Sequence, residues 1–252
     1  MTAGVATAVD AAPAAAERVR CDRLDALRGF AIVWMAAFHF SFDLNHFQFI
    51  HQNFYRDPFW TVQRACIVTL FMACVGAGQA IASAEGQPLA RFWRRWLQIA
   101  GCAVLVTLGS ATMFPSSFIS FGVLHGIAVI LIVVRFTTSW GVWRWPLGLV
   151  AIVLPKLVGD PFFDTRWTNW VGLVTHLPVT EDYAPVLPWL GVVWWGAAAT
   201  DWLLAHHGAI VRGAVPRVLR PLAVLGRWSL SFYMLHQPVL IGILLLVTTL
   251  RH

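Results

Sequence analysis

The sequence predicts an all-α fold, a polytopic transmembrane helical bundle of about seven spans, and three observations carry that prediction. Apolar residues fill 58% of the 252 positions and charged residues only 12%, about half the charged share of a soluble domain and too few to coat a surface in water. Uncharged apolar stretches approach or exceed the ~18 residues that cross a bilayer, and the mean hydropathy of +0.68 agrees. Strand-type alternation is absent, which sets an outer-membrane barrel aside.

The chain opens with MTAGVATAVDAAPAAAERVR, Ala-rich and without a basic stretch ahead of an apolar core. It reads as a short, poorly ordered cytoplasmic arm over residues 1–22 rather than a signal peptide, with one membrane domain over 23–252. The apolar stretches predict helices over 27–45, 65–83, 96–114, 118–134, 140–158, 186–204 and 228–250. Arg144, Pro146 and Pro155 interrupt the fifth, which makes it the least regular of the set. Placing the N-terminus inside puts thirteen of the 18 basic residues on the cytoplasmic side, among them Arg91, Arg94, Arg95, Arg217, Arg220 and Arg227. Only Arg56, Arg64, Lys156, Arg166 and Arg251 fall outside, so seven crossings, N-in and C-out, fit the positive-inside rule. Trp60, Trp93, Trp140, Trp143 and Trp228 stand near predicted helix ends, as an aromatic belt requires. The longest link, 159–185, carries Asp160, Asp164, Arg166, Glu181 and Asp182 beside Trp167 and Trp170 and is expected over the outer mouth.

The net charge of +6 comes from 17 Arg and one Lys clustered between apolar stretches. Topology explains that charge, and no nucleic-acid partner is inferred. Cys21, Cys66, Cys74 and Cys102 form no CxxC pair, and three of them lie in apolar stretches, so neither a disulfide nor a cysteine-ligated metal is inferred. The expected location is a multi-pass site in a bacterial inner (plasma) membrane.

Ionisable groups inside spanning helices are expensive and face the bundle interior. The first helix holds most of them. Arg28, Met35, His39, Asp43 and His46 recur at steps of three and four and share one face. Eleven residues at 1.5 Å each put His39 roughly 16 Å beyond Arg28, near mid-bilayer. Asp43, one turn further, is placed to accept a hydrogen bond from His39 and hold its tautomer, the base-plus-orienter arrangement of acyl-transfer enzymes. The alternative is a buried His and Asp satisfying each other structurally.

Other helices add His125, in FGVLHG, and His236 with Gln237, in SLSFYMLHQP, while Arg64 opens the second helix from outside. Each reads equally as a helix-to-helix hydrogen bond or as a lining residue of a polar cavity. Asn45, His46 and His51 stand at the outer end of the first helix. Asp25 with Arg28 stands at its inner entrance, and the inner arginines offer bidentate partners for phosphates. No phosphate-binding glycine loop is present, so a nucleotide-like donor would be held by side chains and helix termini.

The segments RLDALRGFAIVWMAAFHFSFDLNHF, LFMACVGAGQAIA, FGVLHGIAVI, YAPVLPWLGVVWWG and LGRWSLSFYMLHQPVLI together resemble the catalytic domain family of heparan-alpha-glucosaminide N-acetyltransferase, from about residue 23 to 240. The resemblance implies a transmembrane acyltransferase that takes cytoplasmic acetyl-CoA as co-substrate, with no bound cofactor, and acetylates an acceptor, often a sugar, on the far side. It also implies a catalytic histidine near the outer mouth, where this chain offers His46 or His51, while members more like this chain carry the FH-x3-DLN pattern around His39. The chain has fewer spans than the best-known member and no large exoplasmic domain.

The expected function is therefore acetyl transfer to a hydroxyl or amine of a sugar-type acceptor. His39 and Asp43 are its catalytic pair. Asp25, Arg28, Asn45, His46, His51, Arg64, His125, His236 and Gln237 are donor- or substrate-binding candidates. The expected partners are acetyl-CoA, the glycan or other small acceptor and the lipid bilayer, with a homodimer left open. Two rivals stand beside it. His39, His125 and His236 on three helices, or His39-x3-Asp43-x2-His46, have the residue types to ligate haem or a metal. A transporter or non-catalytic membrane subunit would also carry intramembrane ionisable groups, although no inverted repeat is visible.

Overall fold

The computed structural model describes residues 21–251, and these are helical with no strand among them. The expected arm lies outside the described residues except for its last two, of which Asp22 opens the first helix. The longer elements are α1 (Asp22–His46), α2 (Pro58–Ala84), α3 (Leu89–Met113), α4 (Val123–Phe136), α5 (Arg144–Leu157), α6 (Val186–His206) and α9 (Ser229–Arg251). Two short ones, α7 (Gly208–Arg212) and α8 (Arg220–Arg227), lie between α6 and α9. Every apolar stretch thus has a helical counterpart.

Length and hydropathy single out fewer spans than seven. Pro58–Ala84, Leu89–Met113 and Ser229–Leu250 are long and apolar enough to cross a membrane, and a bent pair brings the number to four if it counts as one span. That pair is Val123–Phe136 with Thr138–Leu157, which meet at 105°. The helices α4 and α5 have 14 residues each, about 21 Å, short of the ~30 Å hydrocarbon core. Gly141, at φ 51°, lets the chain turn between them. The segment expected to start α4 at 118 is irregular instead, because its backbone is claimed from outside. Ile119 N donates to Ser110 Oγ, Thr107 Oγ1 donates to Ile119 O, and Thr180 Oγ1 donates to Phe118 O.

Local chemistry sets the ends. Asp57 accepts from Phe59 N at 2.8 Å with Pro58 at the first helical position, a sequence-encoded start for α2. The start of α4 has no such cap in sequence. Asp182, from the loop before α6, accepts from Val123 N at 2.7 Å in its place.

The centre is a three-helix layer of α2, α4 and α6, with α3 against α4 and α5 against α6. Met72, Ile130, Val134 and Val193 are fully enclosed there. Gly76 allows the α2–α6 contact, since a Cβ at that position would strike the Val193 carbonyl, the small-residue packing that lets membrane helices approach. On one flank α1 packs on α2, α8 and α9. Gly29 permits the α1–α8 contact in the same way, against the Leu222 backbone.

Candidate functional site

The face expected from the spacing of α1 is directed inward. Ile32, Met35 and Asp43 are buried on it, while His46 at the helix end is exposed. Facing this stripe is α9. The rings of His39 and His236 approach edge to face, with centroids 5.2 Å apart. Gln237 Nε2 donates to Asp43 Oδ1 at 2.8 Å. The sequence thus brings four candidates, His39, Asp43, His236 and Gln237, into one seam between two helices almost two hundred residues apart.

One expectation is corrected here. Asp43 does not accept from His39; its Oδ1 is taken by Gln237, and its Oδ2 is buried without a hydrogen-bond partner among the described residues. The i, i+4 spacing places both groups on one face, but α9 offers a stronger geometric match to the carboxylate. Two further buried acceptors in the seam are likewise unpartnered, Gln237 Oε1 and His236 Nε2. Buried polar atoms left unpaired cost of the order of 1–3 kcal/mol each, so three in one seam is an expensive arrangement for a purely structural contact.

His236 is oriented by its own helix. Its Nδ1 lies 2.8 Å from the Tyr233 carbonyl, and Phe232 stacks parallel to its ring at 6.1 Å. Tyr233 in turn lies close enough to Asp182 to act on its carboxyl. Tyr233 and Asp182 are parts of this support that the sequence reading did not select. The i, i−3 relation of Tyr233 to His236 was a usable signal, whereas nothing near Asp182 in sequence marks its role. Burial raises the Asp182 carboxyl above its usual range, opposed by the bond from Val123 N, by Tyr233 and by the charge of Arg64.

Where α1 begins, Arg28 Nη1 pairs with Asp25 Oδ1 at 3.2 Å and Arg227 Nη2 with Asp22 Oδ1 at 2.8 Å. Arg227 Nε also lies 3.9 Å from Asp25 Oδ2, which links the pairs. Arg28 sits against Gly78 of α2, near enough to Arg95 of α3 for their charges to interact. Arg23 is spent on the carbonyls of Ile210 and Ala214.

The remaining candidates scatter. His125 has both ring nitrogens engaged: Nδ1 accepts from Gly122 N at 3.2 Å, so Nε2 carries the proton towards Thr107 Oγ1 at 3.1 Å. It acts as a latch between α3 and the start of α4. Asn45 Oδ1 accepts from Gln52 N at 2.6 Å and shapes the turn after α1. His46, His51 and Arg64 are exposed at the opposite end from Arg28. Among the described residues no three of His, Cys, Asp and Glu gather as a metal site. His39, Asp43 and the exposed His46 form no such group.

Chemically, two imidazoles, a carboxylate and unpaired acceptors in a water-poor seam can take up protons and orient a donor-bearing nucleophile. Neither the comparison with characterised proteins nor that with solved structures returned a match. The family model described as heparan-alpha-glucosaminide N-acetyltransferase, catalytic, matches residues 20–238, a range that includes His39, Asp43, His236 and Gln237. The chain belongs to the heparan-alpha-glucosaminide N-acetyltransferase catalytic family, a family of membrane acyltransferases.

Proposed function

We propose that the protein moves an acetyl group from cytoplasmic acetyl-CoA to a hydroxyl or amine of a sugar-type acceptor on the far side of a bacterial inner membrane. The observation that carries this reading is the α1–α9 seam, where His39 and His236 meet at 5.2 Å beside unpartnered Asp43, Gln237 and His236 atoms. It lies roughly 16 Å along α1 from Arg28. In this reading the bundle crosses seven times, N-in and C-out, with α4 and α5 as short crossings set at an angle. The phosphates of acetyl-CoA bind at Arg28 and the neighbouring inner arginines, where guanidinium groups pair bidentately with phosphate. The pantetheine arm extends along α1 to the imidazole pair, which removes the acceptor's proton as its oxygen or nitrogen attacks the thioester carbon. His39 could also carry the acetyl group between the two substrates.

The test incubates detergent-purified protein with labelled acetyl-CoA and an extract of envelope glycans. The expected result is release of free CoA thiol with label in the glycan fraction. Solute uptake into liposomes without any thioester cleavage would instead support a transporter.

A further inference from the structure

Two histidines share the seam, and their hydrogen bonding distinguishes them. The Nδ1 atom of His236 lies 2.8 Å from the Tyr233 carbonyl oxygen. A carbonyl oxygen only accepts, so in the neutral ring the proton sits on Nδ1 and Nε2 presents a bare lone pair. That Nε2 is buried and unpartnered in a residue only 8% exposed. Phe232, stacked on the ring with planes 6° apart, and the Tyr233 ring, 5.8 Å away between centroids, restrict the ring's position. Among the described residues His39 shows no comparable anchor, and its ring meets those of Phe38 and His236.

We infer that His236, not His39, is the proton acceptor of the transfer reaction. The assignment rests on the acetyl-transfer reading above and deepens it. The acceptor's hydroxyl or amine forms a bond to the carbonyl carbon of the thioester as its proton passes to Nε2 of His236. The tetrahedral centre then collapses, the carbon–sulfur bond breaks, and the departing CoA thiolate recovers that proton from the His236 imidazolium. Acetylated acceptor and free CoA thiol are the products, and His236 returns to its Nδ1–H form. The Tyr233 carbonyl holds the correct tautomer in the resting state and stabilises the imidazolium once it forms, which makes Tyr233 a positioning residue.

The experiment compares His236→Asn with wild type in the labelled acetyl-CoA assay. An Asn side chain keeps an N–H for the Tyr233 carbonyl and lacks the distal base. The turnover number is expected to fall by about 10²–10⁴-fold, the usual contribution of a general base, with acetyl-CoA binding retained. Added imidazole should restore part of the rate in His236→Ala. Turnover of His236→Asn near the wild-type rate overturns the assignment and leaves the acetyl-transfer reading standing; absence of turnover in wild type sinks that reading itself. A measurement on unmodified protein guards against a variant that does not fold. Diethyl pyrocarbonate, which acylates unprotonated imidazole nitrogen, should label the His236 peptide and inactivate the enzyme. Inactivation with label on His39 and none on His236 would overturn the proposal.

Discussion

Gln237 of α9 reaches across to Asp43 of α1, its side-chain amide donating to Oδ1 at 2.8 Å. This is the polar tie between two helices far apart in sequence, and it sets the height at which His236 meets His39. Gln237→Leu leaves a buried carboxylate with no partner on either oxygen, so a loss of about 1–3 kcal/mol of stability is expected. Thermal unfolding in detergent checks it. In the Asp43→Asn, Gln237→Leu double variant the loss should be smaller than the sum of the two singles, with a coupling of about 0.5–3 kcal/mol.

Arg28 of α1 lies against Gly78 of α2, partnered by Asp25 but still partly open. If it receives donor phosphate, Arg28→Gln raises the KM for acetyl-CoA by about tenfold, the equivalent of 1.4 kcal/mol, with a smaller effect on kcat. Raising salt should weaken donor binding to wild type more than to the variant. Steady-state kinetics against acetyl-CoA concentration reads both effects.

His125 illustrates the opposite outcome for an intramembrane histidine. Both its nitrogens are used, by Gly122 N and Thr107 Oγ1. Removing it by His125→Leu orphans those groups and is expected to cost about 1–3 kcal/mol in thermal stability. The transfer rate per folded molecule should stay close to wild type, because no free nitrogen is lost.

In the 159–185 loop, Asp164 is held below the ordinary aspartate value of 3.8, first by the Thr175 side-chain hydroxyl, then by the Thr175 N–H and His176. The carboxyl is the stronger acid when folded, so its stabilisation is complete above 3.8 and disappears as pH falls through the lowered value. Limited proteolysis should therefore cut the 159–185 loop faster at about pH 2.5 than at about pH 5. Thr175→Val removes the hydroxyl bond but keeps the N–H bond, so it should narrow the difference between the two pH values.

Much of this arrangement was legible in the chain. Composition and apolar runs located every long helix, because burial in lipid dictates continuous hydrophobicity. The 3.6-residue period placed Arg28, Met35, His39 and Asp43 on one inward face. What the period does not encode is which distant helix meets that face. The Asp43–Gln237 bond and the His39–His236 contact depend on tertiary packing across 194 and 197 positions, and they displaced the local His39–Asp43 bond that spacing favours. The late start of α4 was hidden for the same reason: its cap, Asp182, arrives from 59 residues downstream. The 105° break between α4 and α5 was foreshadowed only by Arg144, Pro146 and Pro155, which marked that region as irregular without giving its angle.

The central claim, transfer of an acetyl group through the α1–α9 seam to the opposite membrane face, is tested most directly in sealed proteoliposomes. Labelled acetyl-CoA is supplied outside, a sugar-type acceptor is trapped within, and the initial rate of labelling of the trapped acceptor is measured for wild type and His236→Asn. The account predicts labelling by wild type and a loss of at least about 10²-fold in the variant. Equal rates in the two proteins, or no labelling of the trapped acceptor by wild type, would contradict it.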